Sequence, residues 1–283
     1  MVGKPDKLLG MMALGAVLLS APATHAPRAE DAPAPAALAS PVSNVNLTAL
    51  KVNWAVDGAV TGVTLALWVV PEFFKSSLAP AAARWYEPPG IDVSVRTALV
   101  WSNPTPAYVT SDILVAAIPL GLGLWDFFEA NAAGGLVTAA EDLLVITQAL
   151  TVAGALTTVV RFTSARIRPF AFYGQGTGVP EDHLSFWSGH TTTAFSAAAA
   201  AGYVAQMRGY PSWPWVYAVG FTAAGAVAYL RVAGDKHWMT DVVVGAVVGT
   251  GIGFLVPWLH RSNPELGLRM IPFPQGLAVA GRF

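Results

Sequence analysis

The feature that most constrains this chain is a succession of apolar runs, each about long enough to cross a bilayer, separated by short proline- or glycine-rich breaks. Runs fall at roughly 53–74, 111–128, 139–160, 190–207, 214–231 and 238–256, each close to the ~20 residues a helix needs to span the hydrocarbon layer. The breaks are clear at EPPG (87–90), NPTP (103–106), NAAGG (131–135), GQGTGVP (174–180) and GYPSWP (209–214). Backbone polar groups in lipid must be satisfied within the segment, so runs of this length are read as helices. Composition agrees: 54% of residues are hydrophobic and only 12% charged, about half the charge of an ordinary soluble domain. The expected fold is therefore an all-α transmembrane bundle of about six helices. Small residues mark where those helices approach: AFSAAAAAG in the fourth run, and Gly245, Gly249 and Gly253 in the sixth.

Around this bundle the chain divides into an N-terminal segment (1–26), an Ala/Pro-rich linker (27–52), the helical domain (53–262) and a C-terminal tail (263–283). Lys4 and Lys7 precede the apolar stretch LLGMMALGAVLLS, and APA follows it at 21–23. The segment is expected to be an export signal or a retained anchor helix. Net charge is −1, which gives no reason to expect a nucleic-acid partner, and the absence of cysteine removes disulfides, thiolate metal sites and cysteine nucleophiles. Tryptophans near run ends (Trp54, Trp68, Trp213, Trp215, Trp258) read as an interfacial belt.

Strongly polar residues gather in three places. In RFTSARIRPF, Arg161 and Arg168 are seven apart, nearly two helical turns, so a continuing helix would aim both from one face. In SFWSGHT, Ser188, Gly189 and His190 open the fourth run, where free N–H groups and the helix dipole favour an anion. In LRVAGDKHWMTD, Arg231 precedes His237 and Asp241; four residues apart on a helix, the carboxylate could take one ring N–H and leave the other nitrogen free to attack. Alternating helix direction brings all three clusters to one end of the bundle. Arginine forks match phosphate oxygens, and phosphoryl transfer needs mainly charge neutralisation and positioning.

The other polar residues are read as structural: Asp112, Asp126 and Glu129 as interfacial caps, and Glu181, Asp182 and His183 as solvent-facing. Asp235 and Lys236 are read as a loop salt bridge or as solvated charges, and 74–110 as a specificity loop.

The spacing Arg161-x6-Arg168-Pro169, Ser188-Gly189-His190 and Arg231-x5-His237-x3-Asp241 resembles the three-part motif of the type-2 phosphatidic acid phosphatase family, which shares its site with the vanadium-dependent haloperoxidases. The resemblance covers about 140–256. It implies that His237 is a nucleophile forming a phosphohistidine, oriented by Asp241, and that His190 protonates the leaving group. It implies too that Arg161, Arg168, Ser188, Gly189 and Arg231 hold the phosphate oxygens. Metal and cofactor are expected to be absent, vanadate serving only in a haloperoxidase. Three positions depart from the family pattern: Arg161 replaces a lysine, Trp187 a proline and Leu230 a serine, and the aromatic ring at 187 is read as able to shape a pocket for a lipid or isoprenoid chain.

The implied substrate is a lipid or isoprenoid phosphate or diphosphate, and the implied setting a bacterial-type membrane with the site facing the periplasm or exterior. Cleavage of an export signal followed by six crossings would place it on the cytoplasmic face instead. Two other functions fit parts of the pattern: a haloperoxidase, and a non-catalytic binder of anionic lipid headgroups.

Overall fold

A computed structural model describes residues 45–262, 269–273 and 276–280. The N-terminal signal or anchor (1–26) and most of the linker lie outside the described residues. The described part is a helical bundle: α1 (Trp54–Phe73), the single turn α2 (Lys75–Leu78), α3 (Gly90–Leu99), α4 (Thr105–Ser164), α5 (Gly189–Arg208), α6 (Trp213–Ala233) and α7 (Met239–Leu259). In the tail, β1 (Arg269–Phe273) and β2 (Gly276–Ala280) form an antiparallel hairpin, an addition to the all-α expectation. Among the described residues, α1, α4, α6 and α7 are long and apolar enough to cross a membrane. This is a membrane protein.

The second and third expected helices form one element. α4 runs for 60 residues and is broken only at Gly135, whose φ of 80° and ψ of −175° lie outside helical space. Glycine alone adopts that backbone without strain, so NAAGG makes a fold-back with almost no loop. The two halves then pack on each other, with Gly123 and Phe127 facing Leu143 and Ile146. The segment 74–110 is corrected from loop to structure, since it holds α2 and α3.

α5 is the hub, packed against α4, α6 and α7. Its run of alanines is buried throughout, because only small side chains let several helices close on one axis. The glycines of α7 meet it directly: a Cβ on Gly245 would lie 2.9 Å from the Ser188 carbonyl oxygen, and one on Gly253 2.6 Å from that of Ser196.

At the end of the bundle remote from the clusters, the Arg208 guanidinium is fully buried between Asp142 and Glu141, and the Tyr210 hydroxyl donates to Asp142 at 2.8 Å. A buried charge in such a setting persists only when paired. The linker's last residues are fixed here too. The Asn46 N–H donates to the Arg208 carbonyl at 2.8 Å, and residues 49–51 pair with 260–262. The expected linker therefore ends before 45, because Ala49 and Leu50 have apolar surface to bury.

Candidate active site

Arg161 lies in the last turn of α4, but the helix does not carry on to Arg168. Ala165 turns left-handed at φ 44°, and residues beyond it run extended beside Trp85, with the Ile167 N–H donating to the Trp85 carbonyl at 3.0 Å. The expected helical repeat between the two arginines is thus corrected: a turn and a β-bridge bring Arg168 inward. Its guanidinium donates to the carbonyls of Glu181 (2.8 Å), Lys236 (3.2 Å) and Leu184 (3.3 Å) and to the Glu181 carboxylate (3.1 Å).

Ser188 caps α5. Its Oγ accepts from the Thr191 hydroxyl at 3.0 Å and more weakly from the Thr191 N–H, and the side chain is fully buried, away from the cavity wall. In this structure the hydroxyl oxygen caps the helix as an acceptor, which leaves its own proton uncommitted. Gly189 and His190, the first residues of α5, do line the cavity.

The third cluster closes the site. Arg231 ends α6 and donates to Asp112 at 2.8 Å and to Ser111 at 3.0 Å. His237 stands before α7, and its Nδ1 is 2.8 Å from the Ser185 carbonyl. A carbonyl can only accept, so Nδ1 carries the proton and Nε2 keeps its lone pair. Asp241 is 3.6 Å from that ring nitrogen, too far for a hydrogen bond. The expected His237–Asp241 bond is corrected for a geometric reason. α7 begins at Met239, so His237 and Asp241 are not an i, i+4 pair on one helix.

These elements enclose a cavity of about 470 Å³ bordered by Arg161, Arg168, Arg231, Gly189, His190 and His237, with Lys75 and Lys236 at its edge. Trp68 of α1 and Val115 of α4 form an apolar wall; the Trp68 ring lies flat on Gly154, where a Cβ would overlap it. Carboxylates partner most of the cations. Glu72 faces Arg161 and Lys75, Glu181 faces Arg161, Arg168 and Lys75, and Asp112 faces Arg231 and His190, the last at 2.8 Å. Burial alone would raise the Glu181 carboxyl, but Arg168, Lys75 and Arg161 outweigh it and hold it at about 2. Burial lowers Arg168 to about 10. Burial first, then Arg168 and Arg231, push the His237 imidazole well below its ordinary range, so it is neutral at neutral pH.

The PAP2 superfamily model matches residues 142–265. That segment belongs to the PAP2 superfamily. The lipid A 1-phosphatase of Porphyromonas gingivalis is 31% identical over 106 residues, 38% of this chain and 21% of that protein. The undecaprenyl-diphosphatase of Sulfolobus acidocaldarius is 30% identical over 109 residues, 38% of this chain and 49% of that protein. The match thus spans at most about half of either relative. A transmembrane PAP2 type phosphatidylglycerolphosphate phosphatase from Bacillus subtilis superposes with a TM-score of 0.39 at 21% identity, over 72% of this chain and 85% of that one, a likeness too loose to transfer anything from.

The PAP2 segment holds all the motif residues, but the cavity also draws Glu72, Lys75, Tyr108 and Asp112 from helices before it. Several expectations change here. Asp112 is a partner of His190 and Arg231, not an interfacial cap. Glu181 faces the cavity, and Asp182 is buried, accepting from the Thr177 and Gly178 N–H groups at 2.8 Å. Asp126 is buried rather than interfacial, and Glu129 accepts from the Ser212 hydroxyl. Asp235 forms the expected loop salt bridge, with Arg96 at 2.6 Å, whereas Lys236 lies 4.4 Å from the Tyr108 ring centre. Trp187 packs away from the cavity and donates to the Thr157 hydroxyl at 2.8 Å. A charge inside an apolar run, as at Asp112, was the available signal.

Proposed function

We propose that the protein is a membrane phosphatase acting on a lipid or isoprenoid phosphate or diphosphate through a phosphohistidine. The observation that carries this reading is the meeting of His237, His190 and the guanidinium groups of Arg161, Arg168 and Arg231 around one cavity. The phosphate enters among the arginines and displaces Glu72, Glu181 and Asp112 from them. His237 Nε2 attacks phosphorus; the N–P bond forms as the P–O bond to the leaving group breaks. Burial lowers the His190 pKa to about 4. As the phosphate anion binds beside it, His190 takes up a proton and gives it to the leaving oxygen, then takes one from water as the water attacks phosphorus and the N–P bond breaks. Inorganic phosphate leaves, and the imidazole is restored. Negative charge builds on the phosphoryl oxygens in both steps, where the fixed arginines and the Gly189 N–H oppose it without reorganising. The apolar wall of Trp68 and Val115 suits the hydrocarbon part of an amphiphile. The two relatives, named for lipid A and undecaprenyl diphosphate, support that substrate class.

In this reading no metal takes part. The purified protein is expected to release phosphate from phosphatidic acid, undecaprenyl diphosphate, phosphatidylglycerol phosphate or lipid A in the presence of a chelator, and to be inhibited by vanadate. No release from any of the four refutes the proposal. Halide oxidation by vanadate-loaded protein with peroxide would instead favour a haloperoxidase.

The site is proposed to face the periplasm or exterior. α1 begins at the opposite end of the bundle, so this orientation and cleavage of an export signal are alternatives. The chain has no cysteine, which makes single-cysteine labelling clean. On intact cells a membrane-impermeant maleimide is expected to label Glu87→Cys, on the site side, and to spare Asn131→Cys, near the α4 fold-back. The reverse pattern places the site inside.

A further inference from the structure

We propose that Asp92 and Arg166 are positioning residues for the His237 imidazole, acting through Asp241 and Ser185; the inference rests on the phosphohistidine reading above. Arg166 lies between the two arginines of the first motif, yet it does not border the cavity. Its Nη2 donates to Asp92 at 2.6 Å, and its Nη1 to Asp241 at 2.5 Å and to the Thr240 hydroxyl at 2.8 Å. The other Asp241 oxygen accepts from the Ser185 hydroxyl at 2.5 Å and the Trp238 N–H at 2.9 Å. The Ser185 carbonyl accepts the hydrogen bond from His237 Nδ1–H. The Arg166 carbonyl also accepts the Ser185 N–H at 3.0 Å. One residue thus holds Ser185 by its backbone directly and by its side chain through Asp241.

Asp92 completes the arrangement from α3, which precedes the PAP2 segment. Besides Arg166, it accepts from the Thr240 N–H at 2.8 Å and the Thr240 hydroxyl at 2.7 Å, at the start of α7. Asp92, Ser185 and Asp241 are each 0% exposed and Arg166 1%, so water cannot substitute for a lost partner. The Trp85 ring lies 4.0 Å beneath the Arg166 guanidinium and bars solvent from that side. A guanidinium bracketed by two carboxylates has its fork direction set at both ends, which a lysine could not reproduce. What the network fixes is where Nε2 points. None of these four residues lines the cavity, and the one hydrogen bond between Asp241 and the α5 start is at its backbone carbonyl, which accepts the Ser188 N–H at 3.1 Å.

The separation between chemistry and binding supplies the test. Wild type, His237→Ala, Asp92→Asn, Asp92→Ala and the milder Thr240→Val are purified, and kcat, KM and inhibition by inorganic phosphate are measured. Misplacing a reacting atom by about an ångström costs on the order of 100-fold. The Asp92 variants are expected to lose about that much kcat, and Thr240→Val roughly 10-fold, with KM and phosphate inhibition within about threefold of wild type. Retained kcat overturns the proposal. So does a kcat loss matched by equally weakened phosphate inhibition, which marks general distortion of the cavity. If the Asp92 variants do not fold, Thr240→Val alone decides by the same two criteria. Active wild type with inactive His237→Ala leaves the phosphohistidine reading standing whatever the Asp92 result. Inactive wild type removes both.

Discussion

His237→Ala is expected to abolish turnover, lowering kcat on the order of 10⁴-fold or more, as loss of a nucleophile does elsewhere. The Ser185 carbonyl fixes the proton on Nδ1, so Nε2 is the atom proposed to attack, and alanine leaves nothing in its place. Residual release would come from water attacking a phosphate still neutralised by Arg161, Arg168 and Arg231. Rapid acid-free quenching after mixing with ³²P-labelled substrate is expected to trap label on the wild-type protein and none on the variant. Full activity in the variant would reassign the nucleophile. The pH profile carries a second expectation. Because burial and the neighbouring arginines lower the His237 pKa, the free enzyme keeps its nucleophile deprotonated through neutral pH. The acid limb of kcat/KM attributable to this residue then lies below the ordinary histidine range. A limb at ordinary histidine values would contradict the electrostatics described for the cavity.

Gly249→Val is expected to destabilise the bundle by at least about 3 kcal/mol, beyond the usual cost of overpacking a core. At this position a Cβ would overlap the Thr192 carbonyl oxygen, a backbone atom that cannot move aside as a side chain can. Gly245 and Gly253 meet α5 carbonyls one turn to either side, so relief at one position meets resistance at the next. The two helices must part. Since α5 opens with His190 and α7 follows His237, parting them also separates the two imidazoles, and activity is expected to fall with stability. Gly251→Val is the control, because nothing lies within 4 Å of its would-be Cβ. Equal melting temperatures for the two variants in the same detergent would show that the α5–α7 contact does not hold the bundle together.

The legible part of this protein was the periodic part. The apolar runs, the glycines of α7 and the three clusters could be read because lipid demands helices and helices fix spacing. The illegible part lay where the chain leaves the helix. Arg161 and Arg168 reach one cavity, but through the left-handed turn at Ala165 and not the expected helical repeat. The Asp241 carboxylate was expected to bond His237; the chain is not helical between them, so the bond goes to Ser185, and Asp241 serves Arg166, Ser185 and Trp238. Glu181 read as a solvent-facing charge because a carboxylate in a short polar stretch looks solvated when its partners are distant in sequence, and Asp112 read as an interfacial cap because it stands at the start of an apolar run.

By itself, the sequence determined a membrane-embedded helical bundle and the arginines and histidines that border its cavity, because both follow from local spacing and side-chain chemistry. The tertiary structure alone decided which carboxylate faces which cation, that α1, α2 and the first half of α4 contribute to the cavity, and which atom accepts the His237 N–H. Those are contacts across tens of residues, such as Asp92 with Arg166 and Arg96 with Asp235. They are selected by the requirement that every buried charge find a partner, and no local pattern records which partner that is.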